Sequence, residues 1–515
     1  MCPATKNDER LMEKLTVIDQ LITAGRYEEA LYSLRPLEKE APNNKSVIFN
    51  SIGFLIDIGD DTRNPTLIHE ALEKGRKLEG TLSDKFESSL QRHLAKGYSA
   101  LYSINLDRKR RVKQLFEDSN LREAKKRLRK AIELSGDLGS IEKAKLLTDY
   151  GNCLDHLGRT VEALQAYEDA LSIEPTFPMA LGNKALALQN FADISGHYRP
   201  QMYIKAYQLL GQALNDARLL ETGGKKARVA FEEGFEQIEN LVANKESLNQ
   251  DLTHLPFPTD QMSDFEKFYV EFSSLRKLFM NFHLHEDGCE ATIVDSIMPR
   301  LSGPEDAVNE LSEIVNQIKE DFATSRMLLA QSQYQRNDFS RIGKKTYYTK
   351  VENCRFDIYS GLMKASFKEA YDILDKIAVF INKYYNLGLI DKSVDFLATG
   401  RTRCIWRNAD GNIRENVKNS NNICLYALYD IYLDMRSDYG SRFSEIRNAL
   451  VHRKLTIVAP NALPTRSNDT ERIAYDDLFH LTVELLRSVK SAIIYVINLI
   501  TLEEWKKGSS KGTLH

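Results

Sequence analysis

The sequence predicts an all-α protein: an N-terminal array of helix pairs followed by a C-terminal helix bundle. Three observations predict it. Small-residue and aromatic positions recur in helix-pair order before residue 220. Long amphipathic stretches with apolar residues three and four apart dominate beyond residue 300. No Val/Ile alternation of sheet type recurs, and glycine-rich phosphate loops are missing.

Length and composition bound the answer. A chain of 515 residues favours two to four domains. Apolar residues make up 42% and charged residues 28%, as in ordinary globular proteins, and the formal net charge of -3 announces no global affinity for nucleic acid. Any RNA-binding surface is then a local patch. The six cysteines, Cys2, Cys153, Cys289, Cys354, Cys404 and Cys424, form no C-x-x-C pair, which fits a reducing cytoplasm better than a disulfide framework. The N-terminus lacks the apolar core of a signal peptide, and the apolar run from Ser491 to Ile500 is about half of what a spanning helix needs. The expectation is a soluble cytoplasmic protein with no membrane contact.

The array comes first. Leu147, Tyr150-Gly151-Asn152, Leu154, Leu157-Gly158-Arg159, Glu162-Ala163-Leu164, Tyr167, Ala170-Leu171 and Pro175 read as a nearly complete tetratricopeptide repeat. Gly158 ends the first helix at a tight turn. Ala163 and Ala170 are small where two helices approach, Tyr167 and Leu171 fill the groove, and Pro175 stops the second helix. One repeat cannot bury its face alone, so copies are expected beside it. They are marked by Ala30, Ala71 and Ala124, which with Ala163 stand 41, 53 and 39 residues apart in succession, and a further unit opens at Leu181-Gly182-Asn183. Such arrays present a binding surface for a protein or peptide.

Leu220-Glu221-Thr222-Gly223-Gly224 breaks the helical pattern, and Leu252 to Asp260 reads as extended. The array is placed at residues 10–248, a linker at 249–264, a bundle at 265–505 with its core at about 305–500, and a disordered tail at 506–515. Helices are expected over about 305–337, 361–387, 421–437, 442–455 and 471–500, the last apolar nearly all round and therefore central.

Within the fourth of these helices stands Arg447-Asn448-Ala449-Leu450-Val451-His452. An arginine separated by four to six residues from a histidine is a cheap pattern: Arg63 to His69 and Arg276 to His283 match it too. Pro65 places the first in a loop, and Lys277 deprives the second of the usual polar neighbour. Asn448 and His452 are four apart and share a helix face, and the long Arg447 side chain can reach around.

Phe367 to Ile381 with Leu387-Gly388-Leu389, Leu278-Phe279-Met280-Asn281, and Leu425-Tyr426-Ala427-Leu428-Tyr429-Asp430 resemble a branch of the HEPN family fused to tetratricopeptide repeats in prokaryotes. The resemblance spans roughly residues 265–500. It implies metal-independent RNA cleavage by a homodimer of the C-terminal bundle, in toxin or antiviral-defence roles, with no cofactor. Arg447, Asn448 and His452 then fall on the catalytic motif. The RNA 2′-hydroxyl is the nucleophile, and the product carries a 2′,3′-cyclic phosphate. An imidazole can move protons near neutral pH, a guanidinium can pair two phosphate oxygens, and an amide can orient either.

Nearby cations that could hold a strand are Arg442, Arg453, Lys454, Arg401, Arg403 and Arg407, with Trp406 either a base-stacking platform or a loop anchor. Asp375 is a candidate orienting acid, or a solvated carboxylate. His283-Leu284-His285-Glu286-Asp287 has the H-x-H-x-D core of metal-ligand clusters but Gly288 where a further His would stand, so it reads as a surface turn and no metal is expected. Arg108-Lys109-Arg110-Arg111 with Lys113 is a basic tract inside the array, either a solvated face or a nucleic-acid contact. The alternative for the whole chain is a non-catalytic adaptor, with peptide-binding repeats and a bundle used for dimerisation or nucleotide binding.

Overall fold

The computed structural model describes residues 6–197, 199–242, 244–249, 260–284, 290–334, 346, 348–398, 403–459 and 470–510. Two compact units result: residues 1–187 with 209–237, and residues 188–208 with 238–515.

The first unit is a series of helix pairs. α1 (Lys6–Thr23) packs on α2 (Tyr27–Glu40) and α3 (Lys45–Asp61) on α4 (Pro65–Leu78). α5 (Asp84–Ile104) pairs with α7 (Asn120–Glu133) across the short α6 (Arg111–Glu117), and α8 (Ser140–His156) pairs with α9 (Thr160–Ile173). Caps written in the sequence start these helices. Asn44 accepts the N–H groups of Ser46 and Val47, and Asn64 accepts that of Thr66 with Pro65 at the first helical position. Pro65 thus opens a helix. The expected loop narrows to the turn before it, where Arg63 takes φ +52°.

The repeat expectation holds in detail. Gly158 has φ +75° at the α8–α9 turn, and Ala163 and Ala170 are fully buried. Gly151 lets the Tyr167 ring lie against α8: a Cβ there would meet Tyr167 Cε1 at 2.5 Å. The Tyr167 hydroxyl donates to Asn152 Oδ1 at 2.8 Å. α10 (Pro178–Ser195), α11 (Arg199–Asn215) and α12 (Leu219–Leu241) follow. The predicted break near Gly224 is a single residue at φ +65° within α12 rather than a loop.

The second unit holds α13 (Asp264–Leu275), α14 (Glu305–Gln333), α15 (Ile358–Tyr384), the one-turn α16 (Glu415–Lys418), α17 (Ile423–Met435), α18 (Asp438–His452) and α19 (Tyr475–Ser510). A capping box of Ser263 and Glu266 starts α13. α14 packs along α15, and both pack on α19, which also receives α17. By length and composition α19 could cross a membrane: its most apolar window has a mean hydropathy of 1.5, a stronger signal than the run from Ser491 to Ile500 suggests. Yet 78% of that window is buried in the bundle, as in the core helix of a soluble fold. The buried Arg326 of α14 ties in the segment before that helix. It forks onto Asp295 at 2.7 and 2.9 Å, and also donates to Tyr269 Oη at 2.7 Å and the Leu278 carbonyl at 2.9 Å.

One feature escapes the all-helical expectation. Cys354–Arg355 (β1), Lys454–Val458 (β2) and Thr470–Ala474 (β3) form a small sheet, β1 antiparallel and β3 parallel to β2. The helix expected over 442–455 therefore ends at His452, and the β-branched Thr456-Ile457-Val458 run is strand. The linker residues 250–259 and the cluster residues 285–289 lie outside the described residues, as do 511–515 of the expected disordered tail, whereas its first part, 506–510, continues α19 as helix.

Candidate active centre

α18 carries the motif. It follows α17 closely because Gly440 has no side chain: a Cβ there would meet the Met435 Cα at 2.3 Å. Phe443, Ile446 and Ala449 recur every three residues and are buried, which sets the helix rotation. That rotation decides where each motif residue points.

Arg447 is half-buried and turned toward α15. Its guanidinium lies 5.7 Å from the Tyr371 ring centroid, and its Nε is buried with no hydrogen-bond partner among the described residues. Asn448 and His452 are exposed, one turn apart on the solvent face at the end of α18. By helical geometry Arg447 and His452 stand about 140° apart around the axis. The structure thus brings Asn448 and His452 together and sets Arg447 to one side.

Around Arg447 lies a group of acids and hydroxyls. Tyr371 Oη and Ser444 Oγ are 3.2 Å apart, linking α15 to α18. Asp375 accepts the Phe396 N–H at 3.0 Å. Burial pushes the Asp375 carboxyl up to about 6; the Phe396 N–H and the Arg447 charge act against burial, while Asp395 and Asp372 add to it. Asp372 is raised as well, chiefly by burial and opposed by Arg447. Asp375 is therefore a half-buried carboxylate beside Arg447, not a freely solvated one. Sequence reasoning missed Tyr371, Asp372 and Ser444; the only signal was the three-residue spacing of Asp372 and Asp375 on the family-like helix.

The expected strand-holding cations divide. Arg453 and Lys454 are exposed directly after His452 and make no ion pair among the described residues. Arg442 is already engaged by Glu471 at 2.5 Å and Glu445 at 3.1 Å. It edges a cavity of about 320 Å³ lined also by Ile473, Asp477, His480, Leu481 and Glu484. Arg403 is exposed but donates to the Ser393 carbonyl at 2.8 Å. Arg407 donates to the Gly411 carbonyl at 2.7 Å and to Tyr429 Oη at 3.0 Å. Arg401 lies outside the described residues.

Trp406 is a correction. It is 0% exposed, packs edge-on against Phe396 and Tyr429, and donates from Nε1 to the Phe396 carbonyl at 3.2 Å. No face is open for a base, so it is a core anchor. Among the described residues no group of three His, Cys, Asp or Glu could hold a metal ion.

Comparison with known proteins fixes the second unit. Residues 303–503 match the family model described as LA2681-like HEPN. That segment is a HEPN domain. It contains α14 to α18, most of α19 and all three strands, so the motif helix lies inside it. No curated protein matches the chain. Among solved structures, a thermophilic TPR protein of Thermus thermophilus is 22% identical, with a TM-score of 0.32, over 44% of this chain and 99% of that one. MamA protein is also 22% identical, with a TM-score of 0.26, over 43% of this chain and 95% of that one. The described residues are all-α in class apart from one small sheet, with the tetratricopeptide pattern carried by α8 and α9 themselves and the HEPN match by residues 303–503.

Proposed function

We propose that the HEPN domain is a metal-independent endoribonuclease and that the repeat array docks a protein or peptide partner that governs it. The observation that carries this reading is the end of α18. His452 and Asn448 stand exposed on one face, followed by the open cations Arg453 and Lys454, while Arg447 keeps a buried Nε–H with no partner. An unsatisfied guanidinium donor is suited to a phosphate oxygen, and hydrogen bonds to an ionised partner are the strong ones.

In the proposed reaction His452 moves the proton of the 2′-hydroxyl or of the leaving oxygen, and Arg447 stabilises the charge that develops on the phosphoryl group. Asn448 orients phosphate or imidazole. One histidine serves poorly as both base and acid, and a homodimer that places two motifs across one cleft supplies the second. The two residues, about 140° apart on one helix, need such a shared cleft to meet one phosphate. The cellular role in this reading is a cytoplasmic toxin or antiviral effector whose cutting is adjusted, not switched on, by the partner of the array.

The same separation favours a second reading. If no cleft reunites the two residues, the domain is a non-catalytic dimerisation or nucleotide-binding unit beside a peptide-binding array. Sequencing RNA ends from cells that express the wild type or His452→Ala separates the two. The nuclease reading expects new 2′,3′-cyclic phosphate ends in the wild type alone. Identical RNA ends in both contradict it.

A further inference from the structure

Between residues 108 and 130 the chain carries eleven lysines and arginines against three acidic residues, within a protein of net charge -3. The segment runs from the turn Arg108–Arg110 through α6 into α7, and lengthens the third helix pair relative to its neighbours. It is a built part of the array. The Gln114 side chain bridges the Asn105 carbonyl at 2.9 Å and the Asp107 N–H at 3.0 Å, and Arg122 holds the Leu115 carbonyl at 2.8 Å. α7 commits its apolar face, Leu121, Ala124, Leu128 and Ala131, to the core.

What remains outward is cationic. Lys109, Arg110 and Arg111 are exposed, and so are Lys126 and Lys130, one helical turn apart. Several acids meet part of this charge, Glu79 among them through Arg127. Glu117 faces Arg110 at 3.8 Å, Glu123 is taken by Arg127 at 3.0 Å, and Lys130 reaches Glu87 at 3.6 Å. Lys109 and Lys126 make no ion pair among the described residues. Crowded like charges oppose folding, so a patch kept this basic is suited to a polyanion. With its apolar face buried, α7 has nothing to insert into lipid.

We propose that this face of the array binds an RNA strand through its phosphates, without regard to base sequence. One-turn spacing of lysines along α7, a rise of about 6 Å, is comparable to the spacing of neighbouring phosphates on a strand, and the arginines of the insertion offer forks for phosphate oxygens. The single aromatic of the segment, Phe116, is buried, so bases find no stacking platform there. The choice of RNA as the polyanion rests on the nuclease reading; the patch itself does not.

The test uses the full chain carrying His452→Ala, so that binding is measured apart from cleavage. Affinity for a labelled single-stranded RNA is titrated against salt, with and without Lys109→Glu, Arg110→Glu and Lys126→Glu together. The expected result is at least a tenfold loss of affinity and a log–log salt slope shallower by about 2, at roughly 0.7 per lost phosphate contact. Replacing the same three by Gln gives a smaller loss in the same direction, and Lys39→Glu, exposed on α2, none. Circular dichroism confirms that the variants keep their helices. Affinity within twofold of the parent in the triple variant overturns the proposal. So does tighter binding of polyglutamate, anionic vesicles or DNA than of RNA. RNA binding that persists in a protein found to cleave nothing leaves this inference standing and removes the nuclease reading.

Discussion

The Phe396 N–H donates to Asp375 Oδ1 at 3.0 Å, tying the segment after α15 back to the middle of that helix. The bond places a half-buried carboxylate on the Arg447 side of α18. It also explains why the segment carrying Phe396 and Trp406 folds inward, since Trp406 Nε1 then finds the Phe396 carbonyl.

Asp375→Asn is expected to raise stability at neutral pH. The folded-state carboxyl is pushed up to about 6 from 3.8, so the folded protein binds this proton more tightly than the unfolded chain. Ionising it therefore opposes folding increasingly as pH rises from about 4 through 6, and Asn removes that penalty while keeping an acceptor for Phe396. The gain is at most about 3 kcal/mol at pH 7.5, roughly half that at pH 5 and nearly absent below pH 4. Urea unfolding at the three pH values reads it. Destabilisation that grows with pH would show that the Phe396 bond needs the charge, and equal destabilisation at all three that Asn fails to hold the Phe396 N–H in either ionisation state.

Trp406→Ala is expected to destabilise the HEPN domain by about 3–5 kcal/mol, because a fully buried indole leaves a cavity and orphans a carbonyl. Denaturant unfolding of the full chain measures it. Normal stability with reduced RNA affinity would instead return Trp406 to the role of a base platform.

Gly151→Ala is expected to destabilise the array by about 1–3 kcal/mol. The new methyl meets the Tyr167 ring at 2.5 Å, and the hydrogen bond to Asn152 holds that ring in place. A variant with additional space, Gly151→Ala with Tyr167→Leu, recovers part of the loss if the clash is the cause. Thermal unfolding of the three proteins checks this.

Much of this architecture was legible in the residues. The Gly158 turn, the buried Ala163 and Ala170, and a central α19 all follow from spacing and side-chain size. The sheet was not, because β2 is a run of only five residues with four of them buried, and β3 has no apolar alternation of its own. Parallel pairing of two segments separated by residues 459–469 leaves no local trace. At the candidate site the motif spacing located the helix but not its rotation. Only the burial of Phe443, Ile446 and Ala449 shows that Arg447 faces α15 while His452 faces solvent. The sequence leaves Trp406 either a base platform or a loop anchor, because the burial that decides for the anchor depends on Phe396, Tyr429 and Tyr432, distant in sequence.

The central claim is that Arg447 and His452 serve one reaction although they point apart on a single helix. Cleavage rates of a defined RNA by the full-length protein in excess EDTA, for wild type, Arg447→Ala, His452→Ala and the double variant, test it most directly. The account predicts that each single variant loses roughly 10²–10⁴-fold and that the double variant is no worse than the poorer single one, as for groups acting as a unit. Cleavage within threefold of wild type by either single variant would contradict it.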